Sequence, residues 1–243
     1  MVNNHHLPHT KNQNLKFNQN GNLSLDSFEQ CIQIQNSLKD KVSLRSVFSN
    51  ISDITSIGCV SVFFKDNTVQ TAVVILDFPE LKVKERIKVT KKVKRVFPYM
   101  PGLLFFREGE FILNAIDKIK ALPSLFIFNA SGICHPRRVG LASHIGVILN
   151  IPTIGVTKSL LYGNYEEPLN IKGVYTFLKN KEGEILGVAL RTKKDRKHIF
   201  VSIGNKIDLA QSIDVVLKCT KDFRLPEPIR LAVQVAKGID HRL

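Results

Sequence analysis

Short apolar runs in the first half of the chain are separated by turn-forming residues. Residues 57–64 and 69–78 are rich in β-branched and aromatic residues, and Asp66-Asn67 between them suits a hairpin. Residues 81–90 alternate charged and apolar positions, which is the period of a strand with one buried face. The pattern therefore predicts three consecutive antiparallel strands.

Beyond these strands, patterns with helical spacing alternate with continuous apolar runs of the kind found in fully buried strands. The predicted helices span 27–41, 107–121, 137–149 and 208–218, and the further predicted strands span 125–128, 152–156, 172–178, 184–190 and 198–203. Strands that alternate with helices predict an α/β fold. We expect a mixed sheet, with three antiparallel strands followed by parallel strands and with helices on both faces, as in ribonuclease H-like folds.

Composition and length fit one folded domain that follows a polar tail. Residues 1–23 contain seven Asn, two Gln and three His and no acidic residue, so this segment is predicted to be disordered. Residues 24–243 show no further change of composition and are numerous enough to bury a core of their own. No window is apolar over the roughly 18 residues of a membrane span, so no membrane partner is expected.

Four cysteines, at positions 31, 59, 134 and 219, show neither CxxC spacing nor regular pairing. In a domain of this size, scattered thiols argue against a disulfide framework and against a zinc site, and they fit a reducing compartment. The start of the chain lacks the basic and apolar regions of a signal peptide. We expect a cytoplasmic protein, or a nuclear one in a eukaryote, and we expect it to be a monomer.

The chain carries a net charge of +14, and the excess of basic residues is spread over its whole length. Eight basic residues and one acid lie between Lys82 and Arg95, and five basic residues and one acid lie between Arg191 and Lys197. Such runs suit the phosphates of nucleic acid, although a merely solubilising surface has the same composition. The first run leads into a proline-stiffened turn that can stack on bases or wedge between them. The turn consists of Pro98, Tyr99, Met100, Pro101 and Gly102.

A second candidate site follows the predicted strand 125–128. In α/β sheets the carboxyl end of such a strand faces the ligand crevice. Gly132 permits close approach of the backbone to a ligand. His135 stands just before the predicted helix, whose first turn would carry Arg137 and Arg138. Free N–H groups and two guanidinium groups at a helix start predict a phosphate-binding site.

Four segments of the chain stand in a characteristic order and spacing. They are Phe97–Gly102 followed by Phe106-Arg107-Glu108, then Gly132-Ile133-x-x-Pro136-Arg137-Arg138, then Ile151–Lys158, and finally Phe223–Pro228. Together, from about residue 27 to about residue 236, they resemble the endonuclease V family. The resemblance implies a ribonuclease H-like fold, recognition of inosine in DNA or RNA, and Mg²⁺-dependent cutting of the second phosphodiester bond on the 3′ side of the inosine.

The resemblance also assigns roles to individual residues. Residues 98–101 match the family's wedge, which would set Tyr99 beside the altered base. The inosine would lie in a pocket formed largely by backbone groups of the surrounding loops. His135 and Lys158 match residues that the family keeps around the nucleic-acid backbone and the scissile phosphate.

The chain departs from the family at the catalytic positions. The family has three acids and a late histidine, and here Glu108 matches the second acid. Val60, Asn129 and Asn205 stand at the other three positions. Mg²⁺ requires anionic oxygen ligands, so we expect metal binding at the remnant Glu108 to be weak or absent and cleavage to be lost.

Three functions remain open from the sequence. The first is a non-catalytic protein that binds inosine-containing DNA or RNA. The second is an active Mg²⁺-dependent endonuclease with a rearranged site, for which Asp66 and Asp77 are the nearest upstream acids. The third is a scaffold protein that uses the fold for protein contacts.

Overall fold

The computed structural model describes residues 25–239, so the predicted disordered tail over residues 1–23 lies outside the described residues. The strands are β1 (Ser56–Lys65), β2 (Thr68–Asp77), β3 (Val83–Lys92), β4 (Leu125–Phe128), β5 (Thr153–Thr157), β6 (Tyr175–Lys179), β7 (Ile185–Leu190) and β8 (Ile199–Asn205). The α-helices are α1 (Leu25–Lys39), α2 (Leu104–Ile116), α3 (Leu141–Leu149), α4 (Leu209–Lys218) and α5 (Glu227–Lys237). A short 3₁₀ helix spans Ile51–Asp53.

All eight strands form one mixed sheet in the order β3-β2-β1-β4-β5-β8-β7-β6. β1 pairs antiparallel with β2, and β2 pairs antiparallel with β3, as the alternating pattern predicts. β4 runs parallel to both β1 and β5, while β8, β7 and β6 continue the sheet as antiparallel strands. The predicted α/β fold with a mixed sheet is confirmed. Because β1 and β3 are both antiparallel to β2, β3 points in the same direction as β1 and β4.

Helices cover both faces of the sheet because successive strand residues point to opposite sides. Cys59 of β1 belongs to the apolar cluster that includes Ala232 of α5, and α4 packs on the same face. Val60, the next residue, belongs to the opposite cluster, where Phe105 of α2 and Leu141 of α3 pack. No helix within residues 25–239 is long and apolar enough to cross a membrane.

Two predicted helix starts are wrong. The helix predicted from residue 107 begins at Leu104, immediately after the proline-stiffened turn. The helix predicted from residue 137 begins only at Leu141, because Arg138 adopts a left-handed backbone with φ of 62° that a helix cannot contain. α5 was not predicted from the sequence as a helix, although Pro228 in its first turn is a typical start signal.

Candidate functional site

A cleft of about 350 Å³ opens at the carboxyl ends of β4 and β5, and its volume lies in the range of small-ligand pockets. Four parts of the chain form its walls: α1, the turn before α2, the segment between β4 and α3, and the segment after β5. The lining residues are Gln35, Tyr99, Met100, Gly102, Leu104, Asn129, Ala130, Ser131, His135, Gly140, Leu141, Thr157, Lys158, Ser159, Leu160 and Leu161. The cleft thus lies where an α/β sheet places its ligands.

The proline-stiffened turn projects beside this cleft. Tyr99 at its tip is 69% exposed. The base of the turn is fixed, because the Phe97 carbonyl accepts a 2.6 Å hydrogen bond from Arg107 of α2 and the Phe97 ring packs on Phe106. The Arg107 guanidinium in turn lies 4.1 Å from the centre of the Phe64 ring. A rigid base with an exposed aromatic tip suits contact with a base of nucleic acid.

Three side chains converge on the Gly102 carbonyl at the end of this turn. Gln35 Nε2 and His135 Nε2 each lie 2.9 Å from that oxygen, and Arg137 Nη2 lies 3.0 Å from it. His135 Nδ1 accepts a hydrogen bond from the Arg137 backbone N–H, so Nε2 carries the proton and donates to Gly102. Burial lowers the pKa of His135 to about 4, and the ring is therefore neutral at neutral pH. We call Gln35, His135 and Arg137 the carbonyl clamp.

Gln35 is a residue of the cleft wall that the sequence analysis missed. It is 1% exposed, and its amide also donates to the Val139 carbonyl at 3.0 Å and accepts from Arg137 Nε at 2.6 Å. The available signal was a polar residue four positions after Cys31 on the buried face of a predicted helix. A buried amide at such a position needs partners, and these partners lie far away in the sequence.

The other predicted binding residues have different surroundings. Lys158 is exposed at the edge of the cleft. Gly132 packs against the Ile203 carbonyl, where a β-carbon would collide. Arg138 forms a 3.0 Å salt bridge with Glu184. Because Arg137 and Arg138 precede α3, the prediction that they occupy the first turn of that helix is wrong.

The second basic run is partly structural. Arg191 is buried, and its guanidinium contacts Glu167 at 2.8 Å and the Pro168 carbonyl at 2.8 Å. The remaining basic residues of this run include the exposed Lys194 and Arg196. Arg191 is therefore not among the residues of this run that are free to reach a phosphate.

Three of the four family catalytic positions lie on neighbouring elements, namely β1, α2 and the segment after β4. Val60 is in register with Phe128, the residue immediately before Asn129, and α2 carries Glu108 over the same face of the sheet as Val60. Val60 is only 4% exposed, whereas Asn129 is exposed at the cleft. Burial raises the pKa of Glu108 to about 7 and outweighs the lowering effect of Arg107. Burial thus favours the protonated form of the one carboxyl group that remains at these positions.

Asn205, the fourth position, is not brought to this group. It is in register with Thr153 at the opposite, amino end of β5. Its amide donates to the carbonyls of Gly146 and Ile151, and its oxygen accepts from the Ser43 N–H. All its polar atoms therefore hold backbone segments together, and it does not line the cleft.

The side chains near Val60 do not fit a Mg²⁺ ion. Among residues 25–239 there is no group of three or more His, Cys, Asp or Glu side chains that could hold a metal. Asp66 lies at the tip of the β1–β2 hairpin, and Asp77 pairs with Ser56 at the other end of β1, where it forms a 2.9 Å salt bridge with Lys84. Neither acid is positioned to replace the missing ligands, and Glu108 alone supplies too little negative charge.

Comparison with known proteins identifies the family and the fold. The family model described as Endonuclease V matches residues 36–234. Endonuclease V of Rippkaea orientalis is 44% identical over 214 residues, which cover 87% of this chain and 91% of that protein. The crystal structure of Endonuclease V from Streptomyces avermitilis is 34% identical, with a TM-score of 0.79 over 87% of this chain and 92% of that chain.

A further similar structure contains nucleic acid. It is Endonuclease V of Ciona intestinalis in complex with a 24mer DNA containing an inosine followed by a ribo-adenosine. That protein is 27% identical, with a TM-score of 0.78 over 88% of this chain and 98% of that chain. With a family match over most of its length and a relative above 40% identity, the chain belongs to the endonuclease V family.

Proposed function

We propose that this protein binds inosine-containing DNA or RNA in the cleft and leaves the strand uncut. One observation carries the proposal: an exposed Tyr99 stands on a rigidly held turn beside the cleft, while a single carboxyl group, Glu108, remains near Val60. The Ciona intestinalis relative bound to inosine-containing DNA supports the choice of ligand.

The chemistry of the cleft suits a flipped purine. An extruded base is read by hydrogen bonds to its polar edge and by stacking on aromatic or apolar side chains. Here Met100, Leu104 and Leu161 supply apolar surface, while Asn129 and Lys158 supply polar groups at the rim. The net charge of +14 adds a general attraction for the phosphates on either side of the base.

The loss of cutting follows from the same residues. In a metal-dependent nuclease the bound ion activates water and stabilises the leaving oxygen, and it needs anionic ligands. Val60 supplies no ligand atom, and Asn129 supplies a neutral oxygen in place of a charge. Glu108 is then the only acid at the family's catalytic positions. We therefore infer binding of Mg²⁺ too weak to sustain phosphodiester hydrolysis.

A gel assay with the full-length protein tests both parts of the proposal. Labelled strands carrying one inosine, as DNA and as RNA, are mixed with the protein in Mg²⁺, in Mn²⁺ and in EDTA, beside strands with guanosine at that position. We expect a shift that prefers inosine, persists in EDTA and leaves the strand intact. A cut beyond the inosine would show that other ligands hold the metal. Absence of any preferred shift would instead favour the scaffold function.

Removing the exposed aromatic ring should weaken this binding. Because stacking on one aromatic side chain contributes about 1–3 kcal/mol per base, we expect Tyr99→Ala to raise the Kd for an inosine strand by roughly 5- to 150-fold. Tyr175→Ala is the matched control, since Tyr175 is also exposed but lies on the edge strand β6. Fluorescence anisotropy measures both variants. An equal effect of the two substitutions would contradict a specific role for the turn.

A further inference from the structure

The first basic run becomes a continuous charged strip in the folded protein. β3 is an edge strand of the sheet, and the residues of one of its faces are mostly basic. This face carries Arg86, Lys88 and Lys92, which are in register with Val74, Ala72 and Thr68 of β2. Val74 and Ala72 belong to the apolar cluster on which α5 packs, so the three basic residues lie on that face of the sheet. Lys84 precedes them as the extra residue of a β-bulge, because Val83 pairs with Leu76 and Glu85 pairs with Ile75. We call Lys84, Arg86, Lys88 and Lys92 the β3 strip.

The strip leads to the cleft. β3 runs parallel to β4, so its carboxyl end at Lys92 lies at the edge of the sheet where the cleft opens. The chain then continues through Lys94 to Phe97, which begins the turn that carries Tyr99. From Arg86 to the turn the chain contains no acid, and Glu85 points to the other face of the sheet and contacts the Lys120 backbone N–H.

Within the strip, Lys88 and Lys92 are the residues whose charge is available for a ligand. The Lys84 side chain forms an exposed salt bridge with Asp77. Within residues 25–239, no carboxylate forms a salt bridge with Lys88 or Lys92. Lysines on an edge strand can serve simply to prevent pairing with another sheet. The opposite edge strand, β6, carries Tyr175 and Phe177 exposed and Lys179 as its one basic residue, so this fold does not block its edges with lysine as a rule.

The spacing of the strip matches a nucleic-acid backbone. Alternate residues of a strand lie about 7 Å apart, which is close to the rise of two base steps of a duplex. The ten residues of β3 extend over about 33 Å, or about ten base pairs. We propose that the β3 strip binds the phosphate backbone of the nucleic acid that flanks the inosine on one side. The inference rests on the proposed function, because the cleft anchors the inosine at the end of the strip.

Two variants distinguish binding by the β3 strip from a general electrostatic attraction of the basic protein for nucleic acid. In the strip variant Lys84, Lys88 and Lys92 are all replaced by Gln. In the control variant the same change is made at Lys172, Lys179 and Lys181, which are exposed on or near the opposite edge strand. Both variants lose three charges, and both keep the turn and the cleft. Thermal melting of each verifies that the fold is unchanged.

The probes are hairpin-closed DNA duplexes with one inosine, used as a core of about ten base pairs and with about ten further base pairs on either the 5′ or the 3′ side. We expect one extension to tighten binding to the wild type and the other to have no effect. The strip variant should lose about 10- to 100-fold in affinity for the tightening extension, and the slope of log K against log salt should fall by about 2 to 3. Its affinity for the core should stay unchanged, as should every affinity of the control variant.

The proposal is overturned if neither extension tightens binding, or if both variants weaken binding of the extended duplex equally. The core duplex with guanosine in place of inosine keeps the two proposals apart. If the core shows no preference for inosine while the strip variant still loses the gain from extension, the cleft assignment fails and the strip stands. If the core prefers inosine and extension adds nothing, the strip fails and the cleft assignment stands.

Discussion

Replacing Val60 and Asn129 together by Asp should turn a protein that is indifferent to divalent metal into one that metal stabilises. In EDTA the double variant should be less stable than the wild type by about 3–5 kcal/mol, because a carboxylate at the buried position 60 would stand near Glu108 without a partner. When Mn²⁺ is present at about a hundred times its Kd, binding of the metal should raise the free energy of unfolding of the double variant by roughly 2.7 kcal/mol. The melting temperature of the wild type should be the same in both solutions.

The physical reason is the spacing of these positions. Val60 is in register with the residue before Asn129, and Glu108 lies on the helix over that face, so carboxylates at 60 and 129 would give a hard cation anionic oxygens from three elements. A single carboxyl group supplies too little negative charge to hold such a cation. A bound cation would favour the ionised form of Glu108, whose pKa is raised by burial. Metal affinity and the charge of Glu108 are therefore coupled.

Differential scanning fluorimetry with and without Mn²⁺ makes the measurement. The matched control replaces Val62 and Asn129 by Asp, which adds the same charge two residues further along β1 and thus about 7 Å away. We expect no stabilisation of that control by Mn²⁺. A wild type that is itself stabilised by Mn²⁺ would overturn our interpretation of the substituted site, and an unresponsive double variant would show that the three positions do not converge.

Local patterns were enough to predict most of the sheet. The strand predicted over 125–128 coincides with β4, because a continuous apolar run bounded by polar residues has few alternatives. The start of α3 was misplaced because a proline before a basic, apolar stretch is also typical of a first helical turn. The helix begins later because Arg138 has a left-handed backbone conformation, which the hydrophobic pattern of the sequence does not reveal.

The site could be predicted only in part, since its members are joined by contacts distant in sequence. The order and spacing of the motifs were enough to predict that the turn over residues 98–102 and Glu108 belong to the site. The motifs do not reveal that His135 and Arg137 donate hydrogen bonds to the Gly102 carbonyl. Nor do they reveal that Gln35 donates to the carbonyls of Gly102 and Val139, which are 67 and 104 residues away in the sequence. Asn205 shows the same limit. Its motif position suggests catalysis, while its hydrogen bonds join α3 to the loop before β1.

The carbonyl clamp leads to the second large effect that we expect. Gln35→Leu should lower the free energy of unfolding by about 2–4 kcal/mol and raise the Kd for an inosine strand by about 30-fold or more. The substitution keeps approximate side-chain volume but removes every polar atom. Arg137 Nε then loses its acceptor, and the carbonyls of Gly102 and Val139 each lose a donor. Buried groups left without partners account for the loss of stability.

The loss of binding has a separate cause. Gly102 has a φ of 80°, and it ends the turn that holds Tyr99 beside the cleft. With one of three donors removed, the carbonyl is held less firmly and the turn samples more orientations, so each binding event must first order it. The effect should therefore be larger for a strand with inosine than for a strand with guanosine, since only the former engages the turn and the cleft together.

Gln33→Leu is the control, because it makes the same chemical change at an exposed position of the same helix. Denaturant unfolding gives the stability of each variant, and binding is measured at a temperature where both are fully folded. A 2-aminopurine placed beside the inosine reports local unstacking by the turn. If Gln35→Leu lowers stability but leaves both the inosine preference and the 2-aminopurine signal unchanged, the clamp serves folding alone. A loss of both signals in a folded protein would instead make Gln35 the residue through which α1 positions Tyr99 for binding.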